Sequence, residues 1–126
     1  MRTAFLLAPA LAGLVALTLV AGPGSARAAS FDCARARGAD EVAVCRNPTL
    51  SALDSEMGGL WYAYSRVPMA MGGNGNRGDD ARAFLARRRA CGGNASCLTA
   101  AYRVRIQDLR RGIDGSMEEY TRLMFN

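Results

Sequence analysis

Four cysteines constrain the fold of this chain more than any other feature of its sequence: Cys33, Cys45, Cys91 and Cys97. Eleven residues separate the first two cysteines and five separate the last two. Zinc ligands in small domains usually stand two to four residues apart, and a redox-active pair usually has the Cys-x-x-Cys spacing. The cysteines are therefore predicted to form structural disulfides, and no metal or other cofactor is expected.

Four cysteines permit three pairings, and the sequence alone does not choose among them. The predicted helices place Cys33 and Cys45 in two successive short helices, and they place Cys91 and Cys97 at the two ends of a tight turn. This arrangement favours the local pairs Cys33–Cys45 and Cys91–Cys97. In the loop-entropy model the two bonds would stabilise the fold by roughly 3 and roughly 2.4 kcal/mol.

The N-terminus has the organisation of a cleaved Sec signal peptide. Residues 4–22 are apolar without a charge, and residues 26–28 read Ala-Arg-Ala, the small-x-small pattern of a signal peptidase site. We predict cleavage after Ala28. The alternative is a permanent membrane anchor, since the apolar run approaches the ~20 residues that span a bilayer. Pro9 within the run and Pro23 directly after it favour a signal peptide, and no cysteine directly follows the run, as a lipoprotein would require.

The mature chain, residues 29–126, is predicted to be a single domain in the periplasm or the external medium. A domain of this size has little core of its own, so cross-links are expected. The whole chain has a net charge of +5, and all of its basic residues are arginine. Because these arginines form no dense stripe with interleaved aromatic residues, nucleic-acid binding is not expected.

Apolar residues at helical spacing predict an all-α fold, a small disulfide-stapled bundle of about four to five helices. Two short helices, 31–37 and 40–45, precede three longer ones, 48–64, 80–91 and 96–111, and Ser116 opens a short tail helix. The fourth of these segments begins at Asp79 or Asp80, after a glycine-rich stretch, 67–78, that is predicted to be a flexible loop. Gly112 is predicted to end the last long helix and to leave a variable tail, 113–126.

Two of these helices have a clear apolar face. The face of the first consists of Leu50, Leu53, Met57, Leu60, Trp61 and Tyr64. The face of the second consists of Leu98, Ala101, Tyr102, Arg105, Ile106 and Leu109.

The sequence contains few of the side chains that catalysis usually requires. It contains no histidine, the commonest general base, and no cysteine beyond the four already described. Its acidic pairs, 79–80 and 118–119, stand at predicted helix starts, where carboxylates stabilise the helix dipole. The protein is therefore predicted not to be an enzyme.

A run of three arginines, Arg87, Arg88 and Arg89, is the candidate binding feature. Three successive helical positions spread over about 200° of arc, so all three side chains cannot face the core. One interpretation is a solvated surface with one arginine stem lying on the core. The other is a cationic face that docks into an acidic groove, together with the amide of Asn94 in the following turn.

Several segments resemble the LprI-type lysozyme inhibitor family of exported bacterial proteins. Residues 31–33 read Phe-Asp-Cys, and residues 47–54, Asn-Pro-Thr-Leu-Ser-Ala-Leu-Asp, follow the second cysteine. Residues 84–91 resemble the family's aromatic-Leu, charged run and cysteine, and residues 97–106 resemble its Cys-Leu and Tyr-x-x-Arg-Ile stretch. The resemblance covers about 31–109, most of the predicted mature chain.

The resemblance implies a small all-α envelope protein that binds and inhibits lysozyme and so protects peptidoglycan. A glycosidase cleft carries two carboxylates, which arginine or amide donors would suit. Arg87, Arg88, Arg89 and Asn94 are the candidate donors on physical grounds, without a family motif behind them. The alternative is an envelope accessory or structural module with a different protein partner, because fold alone does not fix function.

Overall fold

Four α-helices and one short 3₁₀ helix make up the regular structure of residues 29–69 and 73–125, the parts of the chain that the computed structural model describes. The 3₁₀ helix spans Cys33–Arg35. The α-helices are α1 (Ala39–Arg46), α2 (Pro48–Tyr64), α3 (Gly73–Ala90) and α4 (Ala95–Phe125). No strand occurs within these two ranges, which confirms the all-α prediction. The predicted signal peptide, residues 1–28, lies outside the described residues.

The junction between α1 and α2 forms as predicted. Asn47 ends α1, and its side-chain oxygen accepts hydrogen bonds from the N–H groups of Thr49 (3.0 Å) and Leu50 (3.2 Å). Pro48 takes the first position of α2, where a missing N–H costs nothing. Asn47 therefore caps α2 directly after the end of α1.

The N-terminal segment differs from the prediction. Instead of the predicted helix over 31–37, only the 3₁₀ helix Cys33–Arg35 forms, and Asp32 caps it by accepting from the N–H of Ala34 at 3.0 Å. The prediction of a full helix was therefore wrong: Ser30 donates to the buried Asp54 carboxylate of α2 instead of beginning a helix.

The core lies where α2 and α4 pack together, with α1 and α3 closing its sides. Its central side chains are fully or almost fully buried: Val44, Leu50, Phe84, Leu98 and Tyr102. The rings of Phe84 and Tyr102 meet edge to face with their centroids 5.3 Å apart. Every residue of the predicted apolar face of α4 is buried, so periodicity identified this face correctly.

α3 begins earlier than the sequence predicted. It includes residues 73–78, so the predicted flexible loop over 67–78 is wrong for these six residues. The physical reason lies in Arg77, whose guanidinium donates to the backbone carbonyls of Tyr64 and, at 2.7 Å, Val67. These bonds tie the first turns of α3 to the carbonyl end of α2 and oppose the low helix propensity of the glycines.

α4 is one continuous helix of 31 residues, so the predicted stop at Gly112 and the separate tail helix from Ser116 were both wrong. Gly112 lies against α2, where a Cβ would meet the ring of Tyr64 at 2.8 Å. The hydroxyl of Ser116 donates to the carbonyl of Gly112 at 2.7 Å. The glycine therefore serves a close helix–helix approach, and the serine bonds back along the helix.

The cysteines form the two predicted local disulfides, Cys33–Cys45 and Cys91–Cys97, with Cα atoms 5.7 and 5.6 Å apart. The first joins the 3₁₀ helix to α1, and the second closes the turn between α3 and α4. Two disulfides fit a protein that folds in an oxidising environment. Over residues 29–69 and 73–125, no helix has the length and apolarity needed to cross a membrane.

Candidate functional site

The three arginines of the predicted cationic run separate in the structure. Arg87 and Arg89 are exposed on α3, and neither forms an ion pair within the described ranges. Arg88 is only 6% exposed and points into the protein. Its role as a partner-binding donor is therefore corrected: Arg88 is a core residue, and the exposed members of the run are Arg87 and Arg89.

Arg88 belongs to a buried polar network, which we define as Ser30, Asp40, Asp54, Arg88 and Tyr102. Arg88 Nε donates to Asp40 Oδ2 at 2.7 Å, and its Nη1 donates to the Tyr102 hydroxyl at 3.5 Å. The Tyr102 hydroxyl in turn donates to Asp54 Oδ1 at 2.8 Å. The network therefore joins α1, α2, α3 and α4 through a single chain of hydrogen bonds.

The N-terminal segment completes the network. Both the N–H and the hydroxyl of Ser30 donate to Asp54 Oδ2 at 2.6 Å. Asp54 is completely buried, yet three donors satisfy its carboxylate. Sequence reasoning missed this role, although Asp54 stands four residues after Leu50 on the apolar face of α2. A carboxylate on the apolar face of a helix is the signal that could have revealed it.

The electrostatics of the network favour a fixed structural role. Burial raises the pKa of Tyr102, and the hydrogen bond to Asp54 raises it further. Burial alone would lower the pKa of Arg88, but Tyr102 and Asp40 more than offset it, so this pKa is raised. Arg88 therefore stays charged and Tyr102 stays neutral at physiological pH, which suits a buried ion pair.

Asn94, the fourth predicted donor, caps α4. Its side-chain oxygen accepts from the N–H of Cys97 at 3.0 Å and from the Ser96 hydroxyl at 2.9 Å. Asn94 is thus the capping residue of this helix. The side chain remains exposed in the disulfide-closed turn.

Two hollows flank Arg87 on the surface formed by α3 and α4. The polar hollow, which we call the α3–α4 groove, has a volume of about 340 Å³ and is lined by Asp80, Phe84, Arg87, Arg105, Asp108 and Arg111 among others. The second hollow, of about 260 Å³, is mostly apolar and lies against the Cys91–Cys97 disulfide. Arg87 contributes to both hollows, so its exposed guanidinium stands between a charged surface and an apolar one.

Arg105 is the unexpected member of the α3–α4 groove. The sequence placed it on the apolar face of α4, and the structure confirms that it is buried, with 7% of its surface exposed. Its guanidinium carbon lies 5.6 Å from the ring centroid of Trp61 and 6.0 Å from that of Phe84. Its Nε has no hydrogen-bond acceptor among the described residues.

In the described parts of the chain, no group of three or more histidine, cysteine, aspartate or glutamate side chains is arranged to hold a metal ion. Comparison with known proteins adds no identity: no protein-family model, no curated protein and no solved structure matches this chain.

Proposed function

We propose that this protein is an exported, non-catalytic inhibitor that binds lysozyme and thereby protects peptidoglycan. The proposal rests on the resemblance of residues 31–109 to the LprI-type lysozyme inhibitors. The observation that carries it in three dimensions is the position of Arg87, exposed beside a turn that the Cys91–Cys97 disulfide closes.

This position suits the chemistry of a glycosidase cleft. Such clefts contain a pair of carboxylates, and guanidinium groups form strong charge-assisted hydrogen bonds with carboxylates. Arg87 and Arg89 have no ion pair in the described ranges, so binding would break no existing salt bridge. The disulfide holds the turn before binding, which lowers the ordering cost of the complex.

A cell-wall lysis assay tests the proposal. The purified exported protein, with both disulfides intact, is titrated against lysozymes of several classes. We expect dose-dependent inhibition of at least one class, and we expect the double variant Arg87→Ala/Arg89→Ala to inhibit at least about tenfold more weakly. The matched control is Arg37→Ala/Arg46→Ala, which removes two exposed arginines from elsewhere in the fold.

Absence of inhibition with every lysozyme class would contradict the proposed function itself. Inhibition that the Arg87 and Arg89 changes leave intact would support the function but reject this surface as the inhibitory site. If the control variant inhibits as well as the wild type, the weaker inhibition by Arg87→Ala/Arg89→Ala is due to the position of these arginines and not to a general loss of positive charge.

A second candidate function is an envelope accessory module with a different protein partner. A separate surface favours it: the distal half of α4 exposes large apolar side chains, namely Met117, Tyr120, Leu123, Met124 and Phe125. The two ends of this helix are about 45 Å apart at 1.5 Å per residue. The apolar surface is therefore remote from the Arg87 turn. Partner capture that Leu123→Ser abolishes, without any effect on lysozyme, would favour this alternative.

A further inference from the structure

Arg105 differs from the other buried arginines in how its charge is compensated. Arg88 pairs with Asp40, and Arg77 donates to two backbone carbonyls. Arg105 forms no hydrogen bond or ion pair within residues 29–69 and 73–125. The faces of Trp61 and Phe84 offset part of the cost, since aromatic rings attract cations. A buried cation without an anionic partner is otherwise costly, and a bound anion would supply that partner.

The surroundings of Arg105 are open on one side to the α3–α4 groove. Arg87 and Arg111 contribute to the same groove from α3 and α4, and its volume of about 340 Å³ lies in the range of small-molecule sites. Burial lowers the pKa of Arg105, and Asp80 and Asp108 only partly counteract this effect. The groove is therefore large enough for an anion, and a bound anion would compensate the buried charge of Arg105.

We propose that the α3–α4 groove binds the carboxylate of a small molecule or of a peptide C-terminus, with Arg105 as the anchor and Arg87 and Arg111 at the rim. Guanidinium groups suit a carboxylate because their planar N–H fork can donate two parallel hydrogen bonds to it. The inference goes beyond lysozyme inhibition, since it assigns a ligand site that requires no lysozyme.

The charges lining the groove favour a singly charged anion over phosphate. Its three arginines and two aspartates give a formal charge of +3 − 2 = +1. Arg111 already pairs with Asp108 at 2.5 Å, whereas Asp80 forms no ion pair in the described ranges. Asp80 and Asp108 would therefore repel a doubly charged phosphate more strongly than a ligand with a single carboxylate.

The test follows the arginine side-chain Nε–H signals of the full exported protein, with both disulfides formed, by ¹H–¹⁵N NMR at constant ionic strength. The probes are acetate, N-acetylglycine as a peptide C-terminus, N-acetylglycinamide as its neutral analogue, and inorganic phosphate. We expect saturable shifts of the Arg105 signal with a carboxylate. Stronger binding of N-acetylglycine than of acetate would indicate a peptide terminus, and similar binding would indicate a small carboxylate.

Variants at the rim avoid disturbing the core. We expect Arg87→Gln and Arg111→Gln each to weaken carboxylate binding at least about tenfold, since each removes a charge-assisted hydrogen bond. Arg89→Gln, exposed on the same helix as Arg87, is the matched control and should leave the affinity unchanged. The proposal is overturned by non-saturable shifts, by phosphate or the neutral amide binding as tightly as the carboxylates, or by an equal loss in the control.

Discussion

At the scale of single residues, the hydroxyl of Tyr102 is the central link of the buried polar network. It donates to Asp54 at 2.8 Å and accepts from Arg88 at 3.5 Å. Tyr102→Phe would leave the buried Asp54 carboxylate with one donor fewer while preserving the ring that packs on Phe84.

We expect Tyr102→Phe to lower the free energy of unfolding by about 1–3 kcal/mol, measured by denaturant titration, because a buried acceptor loses its partner. Tyr62→Phe is the matched control, since Tyr62 is 61% exposed, and it should change stability by less than about 0.5 kcal/mol. If Tyr102→Phe changed the free energy of unfolding as little as Tyr62→Phe, the buried polar network would contribute little to stability.

The raised pKa of Tyr102 also predicts a pH dependence. An unfolded chain loses the phenol proton near pH 10, whereas burial and the bond to Asp54 retain it in the folded protein. The stability contributed by this difference is complete below about pH 10 and is lost as the pH rises towards the higher pKa of the folded state. We expect the free energy of unfolding of the wild type to fall more steeply above about pH 10 than that of Tyr102→Phe. Parallel curves would contradict this assignment.

Arg88 and Arg89 offer an internal comparison of a buried and an exposed arginine. Removing one member of a buried ion pair leaves the other charge buried without a partner. We therefore expect Arg88→Gln to lower the free energy of unfolding by about 3–5 kcal/mol. Arg89→Gln should stay within about 0.5 kcal/mol. Chemical denaturation of both variants checks this, and a mild effect at Arg88 would mean that Asp40 finds another donor.

These neighbours also show where sequence reasoning reached its limit at the residue scale. Helical geometry established that the three arginines could not all face the core. It could not choose Arg88, because that choice depends on Asp40, 48 residues earlier, and Tyr102, 14 residues later. The partner-binding role assigned to Arg88 failed for this reason.

At the scale of helices, glycine positions decide how closely α2 and α4 approach. A Cβ on Gly112 would meet the Tyr64 ring at 2.8 Å, whereas a Cβ on Gly115, in the same helix, would meet nothing within 4 Å. We expect Gly112→Ala to lower the melting temperature, with a cost of about 1–3 kcal/mol from overpacking. Gly115→Ala should instead stabilise the protein by up to about 1 kcal/mol, since alanine favours the helix. The same sign for both changes would contradict this packing.

The start of one helix depends on residues next to it in the sequence, whereas the start of another depends on residues of a different helix. Asn47, Pro48 and the first residues of α2 interact with one another, so the start of that helix was predicted correctly. The start of α3 was not, because it depends on Arg77 reaching the carbonyls of Tyr64 and Val67 at the end of another helix. Propensity alone therefore assigned its glycines to a loop.

At the scale of the whole molecule, two disulfides support a small core. In the loop-entropy model they contribute roughly 5 kcal/mol together, which is comparable to the total stability of many small domains. We expect reduction to lower the denaturation midpoint strongly, with the Cys33→Ala/Cys45→Ala variant losing somewhat more stability than Cys91→Ala/Cys97→Ala. Circular dichroism with denaturant measures both, and an unchanged midpoint after full reduction would contradict a stapling role.

The sequence by itself determined the helical class and the buried face of α4, and it favoured the two local disulfides that form. Each of these follows from short-range spacing, which repeats along one helix or closes one short loop. Only the tertiary structure showed which arginine of the run is buried and which donors satisfy Asp54 in the core. It also showed that Arg105 borders a groove and has no hydrogen-bond acceptor within the described residues. Those outcomes depend on side chains brought together from different helices, because the groups that surround a buried charge, and so decide how far it is compensated, lie far from it in the sequence.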